Sequence, residues 1–104
     1  MLEDNDFQVK QNKAIRGYIM RALARGNQNT LLSKQIVNAL LNDGLIVSPD
    51  ISKHLDYLKE KGYIEFTGKN FNSYNVYRND GAMRLTAKGV DLLEDTISDL
   101  GVDI

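Results

Sequence analysis

Apolar residues recur with the period of an amphipathic helix near the start of the chain. Within residues 11–25 they follow i, i+3, i+4, i+7, i+8 spacing, at Ile15, Tyr18, Ile19, Ala22 and Leu23. The opposite side of such a helix carries the basic residues Lys10, Lys13, Arg21 and Arg25. The pattern therefore predicts a surface helix with a basic outer face, ended by "GNQN" at 26–29.

A second helix is predicted to follow within a few residues. Ser33 can serve as its N-cap, because a serine hydroxyl can accept a hydrogen bond from an unpaired backbone N–H of the first turn. The apolar stripe consists of Ile36, Val37, Leu40 and Leu41. Gly44 is suited to ending this helix in the left-handed conformation.

The segment "SPDISKHLDYLKEKGYIEF", residues 48–66, predicts a third helix running into a strand. Ser48 is the expected N-cap, Pro49 suits the first helical position, and Asp50 favours the positive helix end. The apolar stripe consists of Ile51, Leu55 and Leu58. The helix is expected to run to Lys61, and Gly62 is placed to end it.

The hydrophobic period then changes from that of a helix to that of a strand. "YIEFT" places Ile64 and Phe66 on one face, and "AMRLT" does the same with Met83 and Leu85, which predicts a β-hairpin. The polar interval 67–81 is its loop. Thr86 can cap a last helix, whose apolar positions are Val90, Leu93 and Ile97.

This element order resembles the winged helix-turn-helix superfamily. "LDYLKEKGYIEF" is similar to the end of a recognition helix that enters the first wing strand, and "RLTAKGVDLLED" is similar to a second wing strand that enters a C-terminal helix. Both features occur in bacterial winged-helix repressors of the multiple-antibiotic-resistance and arsenic-responsive kinds. The whole chain is also loosely similar to small winged-helix proteins of Mu-like prophages. The resemblance implies an α+β, mainly α, fold: a three-helix core, a β-hairpin wing and a C-terminal helix.

Length and composition favour one domain without catalytic or metal chemistry. The 104 residues, 42% hydrophobic, fit a single domain over 1–104, with frayed ends expected at 1–8 and 99–104. With zero cysteines and one histidine, we expect no catalytic residues, no cofactor and no metal site. Without a long apolar run or a signal sequence, we expect a cytoplasmic protein that does not bind membranes.

The net charge of −1 conceals two oppositely charged regions. Residues 7–42 contain six basic residues and no acidic one, whereas residues 91–104 contain five acidic residues and no basic one. The basic face of the first helix could flank DNA, or it could pair with the acidic last helix within the chain or across a dimer. The resemblance to winged-helix repressors implies a two-fold homodimer through the terminal helices.

Two surfaces are candidates for contact with DNA. The third helix would offer Ser52, Lys53 and Tyr57 to the major groove, although its acidic and basic residues cancel over 50–61. The loop would offer Lys69, Asn70 and Arg78 to the DNA backbone, interleaved with aromatic residues. His54 is placed beside the apolar stripe, which predicts a half-buried histidine.

We therefore expect a sequence-specific DNA-binding protein that regulates transcription as a dimer. The alternative is a winged-helix protein-interaction module that binds a protein partner at the wing without contacting DNA. In one form of this alternative, the module is encoded by a prophage. The zero net charge of the third helix favours the alternative, because neutralisation of phosphates supplies much of the affinity for DNA.

Overall fold

A computed structural model of the chain describes residues 2–67, 72, 75–76 and 81–104, with side chains from residue 6 onward. The described residues form four α-helices and three strands. In chain order these are α1 (Leu2–Arg25), β1 (Thr30–Leu32), α2 (Ser33–Asn42), α3 (Ser52–Glu60), β2 (Ile64–Phe66), β3 (Ala82–Leu85) and α4 (Ala87–Leu93). The prediction of an α+β, mainly helical chain is confirmed.

Helix α1 is longer than the apolar pattern predicts. It starts at Leu2, nine residues before Gln11, and none of residues 6–10 is buried. This first part is supported by i, i+4 contacts along the helix, such as the 3.9 Å ion pair of Lys10 with Asp6. Because such contacts leave no apolar period, the hydrophobic pattern detects only the part of α1 that packs on the core.

The predicted N-cap of α2 is wrong by one residue. Leu32 occupies the cap position, and its backbone N–H donates to Gln35 Oε1 over 2.8 Å. Ser33 is the first helical residue and is fully buried, and its hydroxyl donates to the carbonyl oxygen of Val76 over 3.1 Å. Ser33 therefore holds Val76 of the loop between β2 and β3. Gly44 has a φ of 75°, which confirms the predicted left-handed end of α2.

The predicted start of α3 is also wrong. The helix begins at Ser52, three residues after Pro49, and Ile51 occupies the cap position. Ser48 accepts a 3.4 Å hydrogen bond from the backbone N–H of Asp50, which holds a turn before the helix. The Asp50 carboxylate then accepts from the backbone N–H of Ser52 over 3.1 Å. The Asp50 carboxylate therefore satisfies the N–H group of the first helical residue, although the sequence had suggested Ser48 as the N-cap.

The hairpin has the predicted strands, but the sheet has a third member. β2 and β3 pair antiparallel, with Ile64 opposite Leu85 and Phe66 opposite Met83, as the shared faces of these residues require. β1 pairs with the other edge of β3, so that the strand order is β1-β3-β2. We did not predict β1, because three residues are too short for an alternating pattern to be recognised.

Helix α4 begins as predicted and ends earlier. The Thr86 hydroxyl accepts from the backbone N–H of Gly89 over 3.1 Å, which confirms the predicted N-cap. The helix ends at Leu93, not near Ile97, and Asp95 adopts a positive φ of 63°. This turn sends the remaining residues back toward α1.

The last residues of the chain lie along α1. The backbone N–H of Asp103 donates to the carbonyl oxygen of Lys13 over 3.1 Å, and Val102 is buried in the core. Gly17 permits this approach, since a Cβ at that position would lie 1.8 Å from the carbonyl oxygen of Asp103. We refer to residues 99–104 as the C-terminal segment. These contacts hold it against α1, where we had expected frayed residues.

The core lies between the helices and one face of the sheet. Its fully buried large side chains come from α1, α2, α3, β2, β3 and the loop, and they are Ile19, Met20, Leu23, Ile36, Val37, Leu40, Leu55, Leu58, Ile64, Val76 and Met83. The predicted apolar stripes of α1, α2 and α3 face this core, except that Leu41 at the end of the α2 stripe is exposed. One side of α3 remains outside it.

Candidate nucleic-acid interface

The outer side of α3 carries the exposed residues Lys53, Lys59 and Glu60, together with the half-buried Asp56. We refer to these four residues as the α3 ridge. The inner side of the helix is buried through His54, Leu55 and Leu58, which together with the capping turn fixes its orientation. The α3 ridge has two positive and two negative side chains, so that its formal charge is zero. The ridge therefore carries charges of both signs and has no excess of positive charge.

Ser52 lies at the start of α3, and its hydroxyl is already engaged. Ser52 Oγ donates to Asp50 Oδ1 over 2.6 Å, in addition to the backbone hydrogen bond between the same residues. The hydrogen bonds from Ser52, that of its hydroxyl first, lower the pKa of the Asp50 carboxyl group. A ligand that binds at this helix end would meet an ionised carboxylate, which disfavours a phosphate.

Tyr57 does not project from α3 into solvent as we had expected. The guanidinium carbon of Arg16 lies 3.8 Å from the centre of its ring, and Lys61 Nζ lies 5.5 Å from it. The Tyr57 hydroxyl lies 3.5 Å from the Asp99 carboxylate, and Gly101 packs so closely that a Cβ there would lie 2.0 Å from that hydroxyl. The tyrosine is thus covered by α1 and by the C-terminal segment.

Asp99 is the centre of the contacts that hold the C-terminal segment against α3 and β2. Its carboxylate accepts from the Tyr63 hydroxyl over 2.6 Å and from the Gly101 N–H over 2.7 Å, and Lys61 Nζ lies 3.9 Å away. Burial by itself would raise the pKa of Asp99, but these hydrogen bonds and Lys61 outweigh burial and lower it. Burial first, and then Asp99, raises the pKa of Tyr63 to about 12.

The structure also shows how the basic α1 meets the acidic end of the chain. Arg16 donates to the carbonyl oxygen of Gly101 over 3.1 Å, and Arg21 donates to that of Asp103 over 3.0 Å. Two of the six basic residues therefore bind the C-terminal segment of the same chain through its backbone. Both acceptors are backbone carbonyl oxygens, so these contacts place the end of the chain on α1 through its backbone and not through its acidic side chains.

His54 is more deeply buried than the predicted boundary position, with 3% of its surface exposed. Burial first, and then the positive charges of Arg16 and Lys53, lowers its pKa to about 4. The imidazole is therefore neutral at physiological pH. A histidine one position before the stripe residue Leu55 in a short helix gave no signal strong enough to place it fully inside.

Of the six residues that we expected to contact DNA, three lie in the described part of the chain. Lys53 is exposed on the α3 ridge, Ser52 is beside it and bonded to Asp50, and Tyr57 is covered. Lys69, Asn70 and Arg78 lie outside the described residues. The sequence pattern did not identify Asp99 or Arg16 as the partners of Tyr57, because their contacts join parts of the chain more than 40 residues apart.

Neither a cluster of metal-ligand residues nor a membrane-spanning helix occurs in the described part of the chain. Over residues 2–67, 72, 75–76 and 81–104, no group of three His, Cys, Asp or Glu residues could hold a metal ion. No helix in the same ranges is long and apolar enough to cross a membrane. Comparison with known proteins adds no relative: no family model, curated protein or solved structure matches the chain.

Proposed function

We propose that the protein is a winged helix-turn-helix protein that binds DNA in a sequence-specific manner and regulates transcription, with α3 in the major groove. The observation that carries this proposal is the α3 ridge, which stays exposed while the inner side of the helix is buried. The order of a helix, a strand, two helices and a hairpin, with β1 on the outer edge of β3, also supports it. A helix with its side chains is about as wide as the major groove of B-DNA.

The residues of the α3 ridge suit reading of bases better than attraction to phosphates. Lys53 and Lys59 can donate to guanine, and Glu60 can accept from the amino group of cytosine. Lys34, exposed at the start of α2, adds a positive charge for the DNA backbone. Lys69, Asn70 and Arg78 would add the contacts of the wing. Tyr57 has no part in this interface, because α1 and the C-terminal segment cover it.

The second candidate function is recognition of a protein by the same α3 ridge. The observation that favours it is the zero formal charge of the ridge, since a DNA-binding helix gains affinity from an excess of basic residues. A protein partner with complementary acidic and basic side chains could pair with the exposed ridge residues Lys53, Lys59 and Glu60. The two functions differ in how strongly binding depends on salt.

A titration with mixed genomic DNA tests the proposal. At about 50 mM salt, tens of micromolar protein should bind, because non-specific affinity is strongest at low salt. Replacing Lys53 and Lys69 together with alanine should reduce the slope of log K against log salt, by about 1 for each of these lysines that contacts a phosphate. Fluorescence anisotropy with labelled DNA over a series of salt concentrations measures both quantities.

The control for this experiment is Lys88→Ala, which removes a positive charge from α4 and none from the α3 ridge. Lys88 Nζ lies 5.4 Å from the ring of Tyr63, and the side chain is otherwise exposed. This variant should keep the salt slope of the parent protein. If the parent shows no binding at about 50 mM salt, DNA binding is excluded and the protein-recognition function takes its place.

A further inference from the structure

An apolar groove lies between the first part of α1 and the α2–α3 connection. Its apolar lining comes from Phe7 and Ile15 of α1 and from Leu45, Val47 and Ile51 of the connection. The groove encloses about 320 Å³. Ile15 and Ile51 are buried, so that the groove opens directly onto the core.

The rim of this groove is apolar on both sides. Phe7 on α1 is 69% exposed, and Val47 on the connection is 98% exposed. Single exposed apolar residues are ordinary on protein surfaces, but two that line one groove are typical of a binding surface. The groove is therefore a candidate site for another molecule.

The exposure of the rim favours a chain segment over a small molecule. Pockets for small molecules typically bury about 70–90% of the surface of their ligand. Here Phe7 and Val47 are both mostly exposed, so that a small molecule between them would keep one side open to water. A chain segment is not limited in this way, because its further residues can continue over the neighbouring surface.

The backbone of the connection indicates that such a segment is extended. The carbonyl oxygen of Leu45 accepts a 3.0 Å hydrogen bond from Gln11 Nε2. The N–H and carbonyl groups of the next two residues, Ile46 and Val47, form no hydrogen bond with any other described residue. An extended segment has main-chain groups to pair with them, whereas a helix has already used its own.

The charges of the groove indicate what side chain the segment carries. The α1 residues that line the groove are uncharged, and its charged residues are Asp50 and Lys53. The Asp50 carboxylate already accepts two hydrogen bonds from Ser52, over 3.1 Å and 2.6 Å. Lys53 forms no ion pair with a described residue. The side chain complementary to this end of the groove is therefore acidic.

From these features we propose that the groove binds an extended segment of a partner protein, with an apolar side chain between Phe7 and Val47 and an acidic side chain on Lys53. The main chain of the segment pairs with that of Ile46 and Val47. Because Lys53 also belongs to the α3 ridge, a bound segment and DNA would compete for it. The groove does not require DNA, so this inference stands apart from the proposed function.

Selection from random peptides displayed on phage tests the occupant in the absence of DNA. Peptides of about nine residues reach about 30 Å when extended. The parent protein should enrich those in which a large apolar residue lies within about two positions of Asp or Glu. A synthetic peptide of this consensus should bind with a dissociation constant between about 1 µM and about 100 µM, as measured by isothermal titration calorimetry.

Two serine variants test the apolar contact. Phe7→Ser and Val47→Ser should each raise the dissociation constant of the consensus peptide about tenfold or more, as loss of a central apolar contact does. Both side chains are exposed, so the circular dichroism of the variants should match that of the parent. Leu100→Ser is the matched control, since Leu100 is 89% exposed outside the groove, and it should leave the constant unchanged.

A charge exchange tests the contact with Lys53. Lys53→Glu should raise the dissociation constant about tenfold, and a peptide with lysine in place of its acidic residue should restore binding to this variant. Lys88→Glu, the same change at an exposed position of α4, should have no effect.

Four results would overturn the inference. They are peptides that all bind more weakly than about 1 mM, a consensus without an acidic residue, groove variants that bind like the parent, and a second copy of the chain that fills the groove in sedimentation equilibrium. A protein that binds the consensus peptide but not genomic DNA would instead overturn the proposed function alone.

Discussion

Asp99→Ala should lower the free energy of unfolding by about 3 kcal/mol, a large effect for a residue so close to the end of the chain. The Asp99 carboxylate accepts hydrogen bonds from the Tyr63 hydroxyl and the Gly101 N–H, and it lies 3.9 Å from Lys61 Nζ. Only 3% of Tyr63 is exposed, so that its hydroxyl would lose a charged partner with little access to water. Urea unfolding followed by circular dichroism measures the change.

The matched control for this prediction is Asp103→Ala. Asp103 belongs to the same C-terminal segment, but its described contacts with α1 and Arg21 are made by its backbone N–H and carbonyl oxygen. This variant should change the stability by less than about 0.5 kcal/mol. A double-mutant cycle of Asp99→Ala with Tyr63→Phe should show a coupling energy above about 1 kcal/mol. Equal stabilities of the Asp99 and Asp103 variants would contradict the central role of Asp99.

Acidification from pH 7 to pH 4 should remove about 3 kcal/mol of stability through His54 alone. The pKa of this histidine falls from an ordinary 6.5 to about 4 in the folded protein, first because of burial and then because of Arg16 on α1 and Lys53 on α3. Between these two values the unfolded chain binds more protons than the folded one. The stabilisation is therefore complete above pH 6.5 and is lost as the pH falls to about 4.

The variant His54→Leu isolates this contribution. The Nδ1 atom of His54 is buried without a hydrogen-bond partner, so that an apolar side chain of similar size breaks no described hydrogen bond at that atom. The variant should keep its stability between pH 6.5 and pH 4, while both proteins lose stability at lower pH as carboxylates such as Asp99 become protonated. Parallel losses in both proteins above pH 4 would show that another group is responsible. Because the chain has one histidine, NMR can measure its pKa directly.

The sequence predicted best those elements in which packing and local signals agree. The stripe of α2 and the hairpin faces around Ile64 and Met83 were identified because burial on one side leaves a regular period. Thr86 was identified as a cap because its residue type and its place directly before the apolar period of α4 both indicate one. Ser33 and Ser48 suit a cap equally well by residue type, but the fold uses the first to hold Val76 and the second to hold a turn.

The candidate site was predicted less completely than the fold. A helical period indicates the direction of a side chain and does not indicate what else arrives beside it. Lys53 was expected on the outer side of α3 and is exposed there. Tyr57 was expected beside it, yet Arg16 and the C-terminal segment cover its ring from regions remote in sequence. The expected contacts of Lys69, Asn70 and Arg78 stay predictions.

The sequence by itself determined the order of the helices and the hairpin, the core-facing stripes and the zero net charge of α3. These properties depend on residue type and on spacing within a few helical turns or one strand. The period of a helix or strand by itself places such residues on one face. Only the tertiary structure decided that β1 completes the sheet, that Asp99 fastens the end of the chain over Tyr57, and that Phe7 and Val47 share one groove. Each of these joins residues far apart in the chain, and the positions of such residues follow from the packing of the whole core rather than from any local pattern.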